Sequence, residues 1–227
     1  MPFPDLADRL REVGDRVDAA VRRGGHGQAV TIVAVTKTHG PDAVQAAWDA
    51  GVHDVGENRI QEALPKMEAV SVPVRWHLIG HLQRNKVKSL AKFDLLHSLD
   101  SSRLADTVNE FALGAKAPVN ALMQINVVGE ESKGGYAPDE WQREADRLRS
   151  LAGLRMRGVM TMAPLDADEQ TLRATFAGAR RARELLHAAG HDATELSMGM
   201  SSDYEVAVEE GATYIRLGTI LFGARPA

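Results

Sequence analysis

The sequence predicts an α/β chain folded as a single closed (β/α)8 barrel, one domain over residues 1–227, with an extra helix ahead of the first strand. Three observations predict it. Eight short apolar or β-branched runs recur from about residue 30 to the end, and amphipathic helical stretches separate them. Parallel neighbours need such helical crossovers. A doubly wound open sheet is the alternative, but it needs a glycine-rich nucleotide turn after its first strand, and VAVTKTHGPD holds no G-x-G-x-x-G. Barrels of this kind run to ~250 residues, with ~200 a lower limit, and the chain has 227.

The elements read in order. Residues 4–23 form the extra helix, with apolar positions at helical spacing. The expected strands are 31–37 (TIVAVTK), 53–58 (HDVGEN), 74–80 (VRWHLIG) and 95–100 (LLHSLD). Four more follow at 119–127 (VNALMQINV), 154–162 (LRMRGVMTM), 195–200 (ELSMGM) and 214–222 (YIRLGTILF). Helical patterns such as PDAVQAAWDAG, RIQEALPKMEAV and DEQTLRATFAGARRARELLHAAG lie between them, the last ending on a glycine stop. No linker or shift in composition divides the chain. The loop VVGEESKGGYAPDE is the most glycine-rich and is expected to be the most mobile.

Composition removes several classes of function. The balance of 27 basic and 31 acidic residues leaves a net charge of −4, which disfavours nucleic-acid binding. Without cysteine there is no disulfide framework, thiolate metal site or cysteine nucleophile. The charged, amphipathic start does not read as a secretory signal. No run approaches the ~18 apolar residues of a membrane span. A soluble, cytoplasmic protein is expected.

Chemistry in such barrels collects at the carboxyl ends of the strands. Those ends carry Lys37, Asn58, Gly80 with His81, Asp100, Asn126, Met160 with Thr161, Ser201, and Arg216 with Gly218 and Thr219. Lys37 closes an apolar strand, where desolvation can lower its pKa and make it an amine fit for Schiff-base chemistry. The plain alternative is a lysine marking the exit to solvent. Barrel phosphate sites are commonly built from the loops after strands seven and eight. Gly218 and Thr219 can offer backbone N–H groups there and Ser201 a hydroxyl, although Gly218 could equally mark a strand bend. Ser202-Asp203-Tyr204-Glu205 reads as a capping box that starts the next helix.

Other patterns carry less. His77 and His81 span a strand end and Gly80 rather than a helix face, which disfavours zinc. Arg180, Arg181 and Arg183 read as a solvated helix face. Trp48, Trp76 and Trp141 read as packing residues.

Seven segments in order match a known family: VAVTK, VGENRIQEA, WHLIGHLQRNK, QINVVGEESKGG, RGVMTM, LSMGMSSDYEVAVEEG and IRLGTILFG. From about residue 31 to 223 the chain resembles the pyridoxal phosphate homeostasis (YggS/PROSC) family, which binds pyridoxal 5′-phosphate (PLP). Small departures stand at His39, Arg59 and Leu221. The resemblance implies a barrel like the N-terminal domain of alanine racemase, the fold type III arrangement of PLP proteins. It implies PLP joined to Lys37 as an internal aldimine, and phosphate contacts from Ser201, Gly218 and Thr219. Arg216 is then expected to face the pyridine nitrogen, and Asn58, His81 and Met160 to line the pocket. Lys133 is a candidate secondary acceptor of the aldehyde.

An arginine at the ring nitrogen donates to it and leaves it without a proton, so the ring is a poorer electron sink. The last strand is expected to end near Phe222, leaving no second domain to bring an opposite-face base. These points favour a monomeric PLP carrier that stores, buffers or delivers cofactor to PLP-dependent apoenzymes, without robust catalysis of its own. The alternatives are a PLP-dependent racemase or isomerase with an incomplete site, and a phosphate-binding barrel without PLP.

Overall fold

A computed structural model describes residues 3–129 and 134–223. Eight parallel strands close into a barrel in sequence order. They are β1 (Thr31–Val35), β2 (Asp54–Glu57), β3 (Arg75–Leu78), β4 (Leu95–Leu99), β5 (Val119–Gln124), β6 (Leu154–Met160), β7 (Glu195–Ser197) and β8 (Tyr214–Leu217). The helices are α1 (Leu6–Gly24), α2 (Pro41–Asp49), α3 (Ile60–Ala69), α4 (Ser102–Ala115), α5 (Trp141–Leu148), α6 (Glu169–Ala188), α7 (Tyr204–Glu209) and α8 (Thr219–Phe222). A 3₁₀ segment, Arg84–Lys92, stands in for the helix between β3 and β4. The barrel and its preceding helix are as the sequence predicts.

Local sequence explains most elements. α1 buries Leu6, Val13, Val17 and Ala20, spaced to share one face. That face lies beside α7, where Arg23 reaches Glu209 at 2.5 Å and Gln28 donates to the Val208 carbonyl at 2.8 Å. The Asp168 side chain caps α6 through the Thr171 N–H (2.8 Å), and Ser101 caps α4 through the Leu104 N–H (3.4 Å). Gly158, at a φ of +152°, marks a register shift between β5 and β6. A Cβ there would meet the Glu195 carbonyl at 1.9 Å, so only glycine lets β6 lie against β7.

Two expectations change. Residues 219–222 are not strand: β8 stops at Leu217, the chain turns at Gly218, and Thr219–Phe222 is a short helix. A run such as TILF fits a buried strand and a buried helical turn equally, and periodicity cannot separate them. The capping box at Ser202 does not form either. α7 starts at Tyr204 with Asp203 as its N-cap residue, and the Asp203 carboxylate turns back to accept from the Met200 N–H at 2.5 Å. Several strands also end two or three residues earlier than expected.

The helical layer holds the large apolar core, with Leu78, Leu104, Phe176 and Leu196 fully buried. The lumen differs. Apolar Leu95, Leu122 and Met160 fill one side, while polar side chains cross the rest. Ser197 on β7 bonds His97 on β4, two strands that do not pair, so the contact spans the barrel interior.

Candidate functional site

The carboxyl mouth is built where β8 meets β1. The β1–β8 register ends at Ala34↔Leu217, with Lys37 three residues further along one chain segment and Gly218–Thr219 directly beyond the other. A Cβ on Gly218 would sit 3.4 Å from the Val35 carbonyl, so the turn lies directly on the end of β1. The Ser201 loop joins them, since the Ile220 N–H points at Ser201 Oγ (3.4 Å). A hydroxyl and first-turn N–H groups thus meet at the end of β1, two residues before Lys37. The leading N–H groups of a helix have no intrahelical acceptor, so this donor set suits an anion.

Lys37 owes its place to its neighbours. Thr36 continues the ladder, its N–H donating to the Gly56 carbonyl (3.2 Å). Its hydroxyl donates to Glu57 Oε1 (2.6 Å), which also receives Lys66 Nζ of α3 at 2.6 Å. Thr36 and Glu57 therefore face the helical layer, and Lys37 follows half-buried in the turn at the end of β1. Lys66 also donates to the Thr36 carbonyl (2.7 Å). The other Glu57 oxygen is buried without a hydrogen-bond partner among the described residues. Thr38, just beyond, has a φ of +69°, a conformation that non-glycine residues rarely adopt.

Arg216 lies below the mouth, buried. Its Nη1 donates to Ser197 Oγ (2.6 Å) and its Nη2 to the Thr161 carbonyl (2.9 Å). Burial pulls its pKa down to about 10, against the opposing effect of Asp203, and the guanidinium stays charged near neutrality. Met160, the last residue of β6, is buried against Leu95 and Leu122 and forms floor rather than rim. Asn58 follows β2 at the mouth, held closely by Gly80, where a Cβ would strike the Asn58 carbonyl at 2.3 Å. His81 stands on the rim, its side chain 70% exposed and its Nδ1 on Asp100 (2.8 Å).

The structure thus joins Ser201 to the turn after Gly218, sets Gly218 against Val35 at the end of β1, buries Arg216 below, and leaves His81 at the edge. Lys133 lies outside the described residues. Among the described residues no group of His, Asp or Glu could hold a metal ion, His77 and His81 included.

Sequence reasoning missed two groups. One is Glu57–Lys66 behind Lys37. The other is a lumen chain in which Ser197 Oγ meets His97 Nδ1 (2.8 Å), His97 Nε2 meets His77 Nδ1 (2.8 Å) and His77 Nε2 meets Asp54 (2.9 Å). The available signal was polar residues inside short apolar strands, as in WHL, LHS and ELS. Burial, then His77 and Arg216, push His97 well below the ordinary histidine pKa. Burial raises the Asp54 carboxyl, but hydrogen bonds from His77 and Arg75 outweigh it and bring it down to about 2. Asp54 borders a cavity of about 480 Å³ at the amino end of the barrel, opposite the mouth.

Fold and strand-end residues define the class first: a barrel of the alanine racemase N-terminal-domain type, whose family profile matches residues 10–226. The chain is 40% identical over 223 residues to the pyridoxal phosphate homeostasis protein of Pseudomonas aeruginosa, covering 97% of this chain and 96% of the relative. It is 34% identical to the protein of that name from Escherichia coli, covering 97% of each. The structure of PipY from Synechococcus elongatus with PLP bound superposes with a TM-score of 0.85 at 36% identity, covering 96% of this chain and all of that one. A Clostridium difficile alanine racemase shares the fold at 15% identity, with a TM-score of 0.77, over 97% of this chain and 57% of that one. The chain belongs to the family of pyridoxal phosphate homeostasis proteins.

Proposed function

We propose that this chain binds PLP through Lys37 and serves intracellular PLP homeostasis by storing, buffering or delivering the cofactor, without robust catalysis of its own. One observation carries the reading: β1–β8 pairing lays the Gly218 turn, with Ser201 on it, against Val35 at the end of β1, two residues before Lys37 and above a charged, buried Arg216. A donor set for an anion next to an amine suits a phosphorylated aldehyde, and the relatives' names agree. When bound, PLP supplies an electrophilic aldehyde and a ring able to take up negative charge.

In this reading the chain's residues divide the work. Lys37 is the attachment amine. Ser201, Gly218 and Thr219 hold the phosphate. Arg216 donates to the ring nitrogen and, as a permanent cation, gives it no proton, which restrains side reactions. Asn58 and His81 edge the pocket and Met160 floors it. We place the protein in the cytoplasm as a single-domain monomer, with PLP-dependent apoenzymes as recipients. No helix among the described residues is long and apolar enough to cross a membrane.

The test is a visible spectrum of PLP-loaded protein before and after borohydride, then peptide mapping of the modified lysine. Lys37→Ala is expected to lose both the long-wavelength band and the reducible adduct. A full complement of trapped PLP in that variant refutes the assignment.

A further inference from the structure

The lumen chain has a direction that its chemistry dictates. At the base, Asp54 receives Arg75 at Nε (2.8 Å) and Nη2 (2.5 Å) as well as His77. An ionised carboxylate only accepts, so His77 Nε2 carries the proton. A neutral His77 then presents Nδ1 as an acceptor, and His97 must donate to it from Nε2. A neutral His97 in turn accepts at Nδ1, so the Ser197 hydroxyl donates there. At the top Arg216 can only donate, and Ser197 Oγ receives it. Every proton and lone pair along the line finds a partner in this one order.

We propose that Ser197, His97 and His77 form a one-way hydrogen-bonded relay that runs from Arg216 below the mouth to Asp54 at the base and positions the Arg216 guanidinium. The proposal rests on the PLP-binding reading for its consequence, but not for its geometry. Arg216 is buried and Thr161 gives it only a neutral carbonyl. The relay brings a second acceptor whose oxygen is polarised by a line of donors ending on a carboxylate, and such chains strengthen each link. Two fixed acceptors orient the planar guanidinium and leave its remaining N–H groups for a ligand at the mouth. His77, His97 and Ser197 are thus positioning residues for the ring nitrogen's partner, although none lies at a strand's carboxyl exit except Ser197.

The packing supports a fixed arrangement. The His77 and His97 rings lie 5.0 Å apart and both contact Tyr214 of β8, at 5.6 and 5.8 Å. His97 and Ser197 are fully buried, so water has no access to replace a missing link there. The low pKa of His97 agrees with a neutral ring. A cationic His77 would reverse the upper half: His77 would donate from Nδ1, His97 would carry its proton on Nδ1, and the Ser197 proton would lose its acceptor.

Two measurements test this. In PLP-free protein with ¹⁵N-labelled histidine, long-range ¹H–¹⁵N NMR at neutral pH should show His77 and His97 both as neutral Nε2–H tautomers. A proton on Nδ1 of His97 overturns the relay, whatever any variant does. PLP titration then compares wild type, His97→Phe and His97→Gln. His97→Phe removes both links and should weaken PLP binding about tenfold, the effect of one charge-assisted bond. His97→Gln can still accept from Ser197 and donate to His77, and should stay within about threefold of wild type. Unchanged affinity in His97→Phe overturns the positioning role. A wild type that shows the expected tautomers but binds no PLP refutes the functional reading and leaves the relay standing.

Discussion

Arg216 is a full positive charge inside a barrel, and its neighbours explain both its cost and its use. Burial alone disfavours it, yet with a pKa of about 10 it is charged at any physiological pH. Arg216→Glu would put an acceptor where a donor stood, against Ser197 and the Thr161 carbonyl. We expect weaker PLP retention and slow half-transamination when amino acids are added, read from the loss of the long-wavelength band. Arg216→Gln should weaken retention without that reactivity. Unchanged affinity and spectrum in the Glu variant would mean that Arg216 does not meet the ring nitrogen. Ser201 tests the phosphate end. A hydrogen bond to a charged group contributes ~1.5–3 kcal/mol, so Ser201→Ala should raise the Kd for PLP about tenfold. Binding of pyridoxal, which lacks the phosphate, should not respond, and equal affinity for the two ligands would remove the phosphate site.

At the scale of elements, the junction of β1, β2 and α3 sets where the chain leaves β1 toward Lys37. Lys66 of α3 is the clamp, tied to the Thr36 carbonyl and Glu57 in a nearly dry site. Lys66→Met leaves the Glu57 carboxylate buried and unpaired, a class of change that costs ~3–5 kcal/mol. Urea unfolding should show that loss. The double variant Lys66→Met with Glu57→Leu should recover much of it, because two apolar side chains of similar volume often match a buried ion pair. The recovered protein should still hold PLP less well than wild type, since the β1 exit has lost its tie. This junction was invisible in the sequence, where Glu57 fell inside an expected strand and Lys66 inside an expected helix with nothing to pair them. Only the packing of α3 against two strand ends gives them one task. The same holds for Asp203, whose carboxylate folds back on Met200 and displaces the capping box that SSDYE spells out.

For the whole molecule, the polar lumen makes stability depend on pH in a stated direction. His97 has a native pKa well below 6.5, so below that value the unfolded chain binds a proton that the native one refuses. Stability therefore falls as pH drops below about 6.5. Asp54 acts lower. Its carboxyl is depressed from 3.8 to about 2, so its contribution, at most about 2 kcal/mol, is present above 3.8 and lost as pH falls toward 2. Urea midpoints measured from pH 8 to 3 should decline in the first step and again at the acid end. His97→Gln should flatten the first step alone. A wild-type midpoint constant between pH 7 and 5 would contradict a neutral, buried His97.

The order of elements and the strand-end residues Lys37, Ser201, Arg216, Gly218 and Thr219 were legible in the chain itself, because the period of apolar residues and the alternation of strand and helix are local properties. They also put a lysine, a serine hydroxyl and a glycine turn beyond the carboxyl ends of the strands. Barrel closure decided the rest. Pairing β8 with β1 joins segments almost a chain length apart, and it alone sets Gly218 against Val35 at the end of β1. The lumen relay spans β2, β3, β4, β7 and β8, so no local pattern encodes it. The short final helix likewise follows the turn at Gly218 and was not legible locally, since an apolar run has no preference of its own between strand and buried turn.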